Sequence, residues 1–354
     1  MPIVTPVTRL LDINSPIIVP PMAGCSGGAL AAAVTAGGGF GFIAVGLGYD
    51  GTGRDTVEGF EGQLSLTRSL LNIPASPAPL PIGIGFIGWL LDLPGAPGPT
   101  LLNIALENRP KAIWFSFGND LGPWIKVVHE FNEKIKGEHK ILIFAQVNTV
   151  EEARKAAVEW KVDAIVAQGI EAGGHGRSAA PLLFNFIPAL LQSLPSPHPP
   201  IIAAGGISTG SQIASLLALG ASACVVGTRF ALSTECLYPP SHKSAIAKAG
   251  FGATVRTLAY DYAGGTAMWP EGINGRALRN KVYESLEGGA SEQEIREKFL
   301  EAREKSDEDY IICWAGVGVA LFNEEKPAEV LVRELHEEAV TTLKATSEKF
   351  AGST

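Results

Sequence analysis

The run Gln168-Gly-Ile-Glu-Ala-Gly-Gly-His-Gly-Arg177 places one imidazole among glycines. His175 is flanked by Gly173, Gly174 and Gly176, so its ring can lean over a flat ligand without crowding from neighbouring side chains. Imidazole titrates near neutrality, which suits it to accept a proton from a carbon acid. A second chemistry is written at Ala204-Gly205-Gly206-Ile207 and Gly227-Thr228-Arg229-Phe230. Paired glycines bare their backbone amides, and several amides close together suit a phosphate. Ser208 and Thr209 then open a helix, whose N-terminus would add favourable potential for the anion. Pro21-Met22-Ala23-Gly24 forms a short apolar rim that could face a planar ring. Gln146 and Gln168 end apolar runs, where a buried amide needs partners, either in the core or on a ligand. Gly85 ends another such run and would allow close approach of the ligand. His129, His139, His198, His242 and His336 fall in helical or loop segments and receive no role. Cys25 lies near the same rim with nothing adjacent to activate it, and reads as packing.

Those residues need a frame that brings them to one mouth. Eight short apolar runs, bounded by Gly, Pro or polar residues, cover 16–24, 39–46, 80–88, 112–118, 140–147, 162–169, 199–206 and 222–230. They lack strict alternation, as expected of parallel strands buried on both faces. Helices are expected between them at 100–108, 149–160 (with Thr149 as N-cap), 181–194 and 208–219. Eight strands alternating with helices predict an α/β fold of the (β/α)₈ TIM-barrel type, with its site at the C-terminal ends of the strands and phosphate after the last two. Residues 241–325 are richer in charge and read as a helical cap inserted after the eighth strand. Residues 326–348 read as a final amphipathic helix. The expected organisation is therefore a barrel of residues 1–240 plus 326–354 and a cap of residues 241–325.

The 354 residues are 46 % hydrophobic and 18 % charged, enough apolar content for a large core. A net charge of −8 and a pI near 5.4 argue against nucleic acid as a partner. No apolar run is long enough to span a membrane. The four cysteines form no CxxC pair, which leaves metal and thioredoxin chemistry unsupported and suits a reducing, cytoplasmic setting. No GxxxxGK[ST] element is present. Gly37–Gly41 precedes a strand rather than following one, and so fails the dinucleotide fingerprint.

PIIVPPMAG, GFGFIAVGLGY, QGIEAGGHG, PIIAAGGIS and GTRF, in this order over about residues 14–236, resemble the nitronate monooxygenase (2-nitropropane dioxygenase) family. GRALRN at 275–280 and WAGVGVA at 314–320 extend the resemblance into the family's cap. The resemblance implies non-covalent FMN, with Pro21, Met22 and Ala23 beside the ring and Gln168, Gly173 and Gly174 lining the cofactor. Ala204, Gly205, Gly206, Gly227 and Thr228 would hold the phosphate. It implies His175 as catalytic base or as electrostatic partner of a nitro group. The implied reaction is oxidation of an alkyl nitronate (propionate 3-nitronate or a nitroalkane among the candidates) by dioxygen, giving a carbonyl compound and nitrite. The small-molecule substrate and dioxygen would be the partners, with self-association open. This chain departs from the pattern at Gly85, where bacterial relatives often carry Asn, and at Ala315-Gly316-Val317, where the cap often reads Ala-Gly-Gln. Flavin enoyl-reductases and NAD(P)H:quinone reductases share the fold and the glycine-flanked histidine, so an NAD(P)H-dependent flavin reductase acting on enoyl thioesters or quinones is the alternative enzyme. A non-catalytic flavin- or metabolite-binding protein is the alternative outside enzymes.

Overall fold

The structure, a computed structural model, describes residues 1–46, 55–76, 78–137 and 139–351. In chain order the strands are β1 (Ile17–Val19), β2 (Phe40–Val45), β3 (Leu80–Ile87), β4 (Pro110–Ser116), β5 (Leu142–Val147), β6 (Ala164–Gln168), β7 (Gly174–Arg177), β8 (Ile201–Ala204), β9 (Ala223–Val225), β10 (Thr254–Thr257) and β11 (Ile273–Leu278). β1 to β6, β8 and β9 pair in parallel and close into a barrel, β9 returning to β1. All eight expected strands are present, and they are the barrel.

The continuous apolar runs conceal an alternation. Ile18, Phe42, Trp114, Phe144, Val166 and Ile202 point into the barrel, where Phe42 meets Trp114 edge-on at 5.1 Å. Their neighbours Ile17, Ile43, Ile113, Ile143, Ile165 and Ile201 point outward to the helices. Both faces are dry, so both sets are apolar. Gly83 makes room for this filling: a Cβ there would stand 2.2 Å from the Phe42 ring. Val7 and Leu11, on the helix Pro6–Leu11, join the interior cluster.

The first and eighth strands are shorter than their apolar runs. Pro20 and Pro21 have no amide to donate, so β1 stops at Val19. β9 stops at Val225, and the chain turns at Gly227 into a short helix, Thr228–Ala231. The expected helices are present at Gly98–Glu107, Val150–Val158, Leu183–Ser193 and Gly210–Ala218. Thr149 and Thr209 cap theirs by accepting from the amides of Glu152 and Gln212.

The segment beyond the eighth strand is not helical throughout. It holds helices Pro240–Lys248, Ala259–Gly264, Lys281–Glu287 and Glu292–Glu304, but also β10 and β11. These two pair antiparallel, and β11 takes β7 as its other neighbour. The glycine-rich run at 174–177, which lay outside the expected strands, is therefore an edge strand. Its own residues have little strand preference; pairing with Ile273–Arg276 makes it one. The last helix, Ala328–Ala351, packs along Gly210–Ala218 so closely that a Cβ on Gly210 would lie 2.4 Å from the Leu335 carbonyl oxygen. Among the described residues, no helix is long and apolar enough to cross a membrane.

Candidate active site

A cavity of about 730 Å³ opens at the C-terminal ends of the barrel strands. Of the residues singled out from sequence, Pro21, Met22, Ala23, Gln146, Gln168, Gly173, Gly174, His175, Ala204, Gly205, Gly206, Gly227 and Thr228 all line it. Gly85 does not. Its open face is filled by the Pro21 ring, which a Cβ would meet at 2.1 Å, so this glycine serves the rim and not a ligand.

His175 is held on every side. Its ring stacks on Trp269 at 3.6 Å between centroids and 12° between planes, with Trp314 tilted against it at 4.7 Å. Trp269 in turn meets Trp89 and Phe117 edge-on, joining the histidine to an aromatic wall. Nε2 of His175 lies 2.8 Å from Oδ1 of Asp261, which is wholly buried. Oδ1 also accepts from the Thr266 hydroxyl at 3.1 Å, while Oδ2 has no partner among the described residues. A carboxylate only accepts, so the bond places a proton on Nε2, and in the neutral ring the free lone pair is then that of Nδ1. The His175 carbonyl accepts from the Gln168 amide at 3.0 Å, and Asn148 donates to the Gln168 oxygen at 3.0 Å. Gln168 is thus largely committed to holding the histidine's backbone. Gln146 is the opposite case: its buried Nε2 has no partner among the described residues, and Gln146 lines the cavity.

A family model described as nitronate monooxygenase matches residues 100–338. A nitronate monooxygenase of Neurospora crassa is 34 % identical over 348 residues, spanning 94 % of this chain and 90 % of that protein. The chain belongs to the nitronate monooxygenase family. It is an oxidoreductase of that type. Among solved structures, a nitroalkane oxidase from Streptomyces ansochromogenes aligns with a TM-score of 0.76 at 26 % identity, covering 97 % of this chain and all of that one. FabK from Thermotoga maritima aligns at 0.74 and 26 %, covering 99 % and 100 %.

In this member of the nitronate monooxygenase family, the far end of the cavity is built from backbone. Gly205 and Gly206 have φ of 134° and 68°, conformations that side chains rarely tolerate, and they curl the chain around the cavity wall. Ser208 lends a buried hydroxyl that has no partner among the described residues. The helix Gly210–Ala218, however, does not offer its N-terminus. Glu338 of the last helix already receives the amides of Gly210 and Ser211, at 2.8 and 3.1 Å, and the Gln212 side chain receives those of Ser208 and Thr209. The anion at this helix end is the protein's own.

Ala315-Gly316-Val317, the departure noted in the cap, seals the site by backbone contact. Gly316 donates to the Thr228 hydroxyl at 2.9 Å and Val317 to the Glu171 carbonyl at 3.1 Å. Gly173 lies so close that a Cβ would stand 2.4 Å from the Gly316 nitrogen. Arg256 donates to the carbonyls of Ala172 and Gly176, and Arg276 to that of Ile170, which pins the glycine run from its other side.

Sequence reasoning missed Asp261, Trp269 and Trp314. It also gave His242 no role, yet that histidine lines the cavity beside Tyr238. The available signal was weak: Asp261, Trp269 and Trp314 lie in a charge-rich segment that holds other aspartates and aromatics.

Proposed function

We propose that this protein oxidises alkyl nitronates with FMN as cofactor and dioxygen as terminal electron acceptor, releasing a carbonyl compound and nitrite. The observation that carries the proposal is the His175–Asp261 pair, buried in the wall of a roomy cavity and aimed by a stacked indole. The residues present fit the cofactor. Gln146 has a buried, unpartnered amide for a polar ring edge, and Ser208 a buried hydroxyl for the phosphate end. Pro21, Met22 and Ala23 would flank the ring, with Gly173 and Gly174 opposite. Ala204, Gly205, Gly206, Gly227 and Thr228 would hold the phosphate through backbone amides and the Thr228 hydroxyl. FMN, when bound, supplies the two-electron acceptor and the route to dioxygen.

The chain's own residues do the rest. Nδ1 of His175 accepts the α-proton when a neutral nitroalkane enters, and Asp261 stabilises the imidazolium that results. With a nitronate already formed, the same imidazole orients the nitro oxygens. Ile87, Phe117, Leu237, Trp269 and Tyr238 give the substrate side of the cavity an apolar wall. Among the described residues, no Lys or Arg lines it. That wall favours an uncharged alkyl tail over the carboxylate of propionate 3-nitronate, which would be left without a counter-charge.

The test is His175→Ala. The variant is expected to keep its yellow colour and its turnover of preformed nitronates within a few-fold, while losing turnover of the parent nitroalkanes. Unchanged nitroalkane turnover would remove His175 from proton transfer.

A further inference from the structure

Behind the cavity wall, two cysteines from distant parts of the chain are in contact. Cys25 follows the rim residues Met22, Ala23 and Gly24, and Cys236 precedes the wall residues Leu237, Tyr238 and Pro239. Their sulfurs lie 2.8 Å apart, although 211 residues separate them. Neither takes part in the proposed reaction, and both are free thiols. The backbone is registered around them: the Leu237 amide donates to the Cys25 carbonyl at 3.1 Å, and the Tyr238 amide donates to the Cys236 sulfur at 3.3 Å.

We propose that Cys25 and Cys236 form an oxidation site, a dithiol that hydrogen peroxide converts into an intramolecular disulfide tying the rim after β1 to the segment after β9. The assignment goes beyond the nitronate reading and does not depend on it.

The two sulfurs are not equivalent, and this sets the order of events. The Cys236 thiol is lowered from its ordinary value, first by the hydrogen bond from Cys25 and then by the Tyr238 amide and the Lys243 ammonium, against the opposing effect of burial. Burial raises Cys25 well above it. Cys236 is therefore the more acidic thiol of the two, and its thiolate is the nucleophile. It attacks one peroxide oxygen, the O–O bond breaks, and a sulfenic acid forms as hydroxide leaves and becomes water. The Cys25 sulfur then attacks the Cys236 sulfur, the S–O bond breaks, and the departing hydroxide takes the Cys25 proton as a second water. Two thiols are oxidised and one peroxide is reduced to two waters. The remaining cysteines lack this arrangement. Cys313 is buried and pushed up to about 12 by burial and then by the nearby Cys236, and its sulfur contacts the His242 carbonyl at 3.7 Å. Cys224 is buried and also raised by desolvation.

The experiment exposes the purified, pigment-bearing protein to graded hydrogen peroxide, blocks remaining thiols with N-ethylmaleimide after denaturation, and maps the peptides by mass spectrometry. Met268, 58 % exposed, reports the dose through its sulfoxide. The expected result is a fall from four blocked cysteines to two, a loss of two hydrogen masses, and a Cys25–Cys236 cross-linked peptide that dithiothreitol abolishes. Cys25→Ser should yield no bridge. If that variant does not fold, the map of the unaltered protein decides alone. Oxidised Met268 with all four thiols intact would overturn the proposal, as would a bridge to Cys224 or Cys313.

Discussion

Replacing Asp261 by asparagine keeps the side chain's shape and removes its charge. In the structure this carboxylate is fully buried and receives Nε2 of His175 at 2.8 Å. A hydrogen bond to a charged group contributes about 1.5–3 kcal/mol, against about 0.5–1.5 kcal/mol between neutral partners. The carboxylate's advantage is fully expressed only when His175 carries the abstracted proton, because an imidazolium then faces an anion instead of an amide. Losing the difference, about 1–1.5 kcal/mol, at that point slows proton abstraction roughly 5- to 12-fold, at about 1.4 kcal/mol per decade. Oxidation of a nitronate formed beforehand requires no such abstraction and should change by less than about threefold on the same scale. The assay follows oxygen uptake with nitroethane and, separately, with its preformed nitronate, taking kcat and KM for each. Asp261→Glu, which keeps the charge, should recover part of the nitroethane rate. Equal losses on both substrates would make Asp261 a structural residue, and no loss on either would remove it from the mechanism.

Three further predictions concern the frame of the site. Gly173→Ala forces a Cβ to 2.4 Å from the Gly316 nitrogen, so thermal unfolding should move down by an amount typical of overpacking, about 1–3 kcal/mol; an unchanged midpoint would show that the two backbones are not in contact. Glu338→Gln strips the negative charge from the amides of Gly210 and Ser211 and should cost about 0.5–1 kcal/mol in urea unfolding while leaving flavin retention intact. Loss of flavin in that variant would return the helix N-terminus to the phosphate. Burial holds the His242 imidazole below its ordinary 6.5, with a hydrogen bond to the Ile312 carbonyl opposing the shift. Below that pH the unfolded chain takes up a proton that the folded chain refuses, so stability is intact above about 6.5 and erodes as pH falls. His242→Gln should lessen the drop in Tm between about pH 7 and pH 5; identical slopes would contradict this.

The barrel was legible because its strands are buried on both faces and punctuated by Gly and Pro, a pattern that survives without any partner in view. The place of His175 at the cavity was legible because glycines around a histidine have few structural uses. Asp261 was not. It sits 86 residues from His175 in a segment rich in charge, and an aspartate destined for burial looks like any other until the chain is folded. The three-stranded sheet was hidden for a related reason: GHGR and TVRT are four-residue strands that exist through their pairing. The helix at Gly210 carries an N-terminal signature for anion binding, but its first amides do not face a ligand. What local sequence could not disclose was that Glu338, on the returning last helix, answers it. Gly85 misled in the same way, since close approach was needed, but by Pro21.

The central claim is that backbone amides at the barrel mouth and the Gln146 side chain hold a flavin mononucleotide within reach of His175. A visible spectrum of the purified protein, followed by mass spectrometry of the pigment released on denaturation, tests it most directly. The account predicts flavin absorption, a released mass equal to FMN, and bleaching by ethyl nitronate but not by NADPH under anaerobic conditions. A protein that is colourless and stays so after incubation with FMN, or one that NADPH bleaches rapidly, would contradict it.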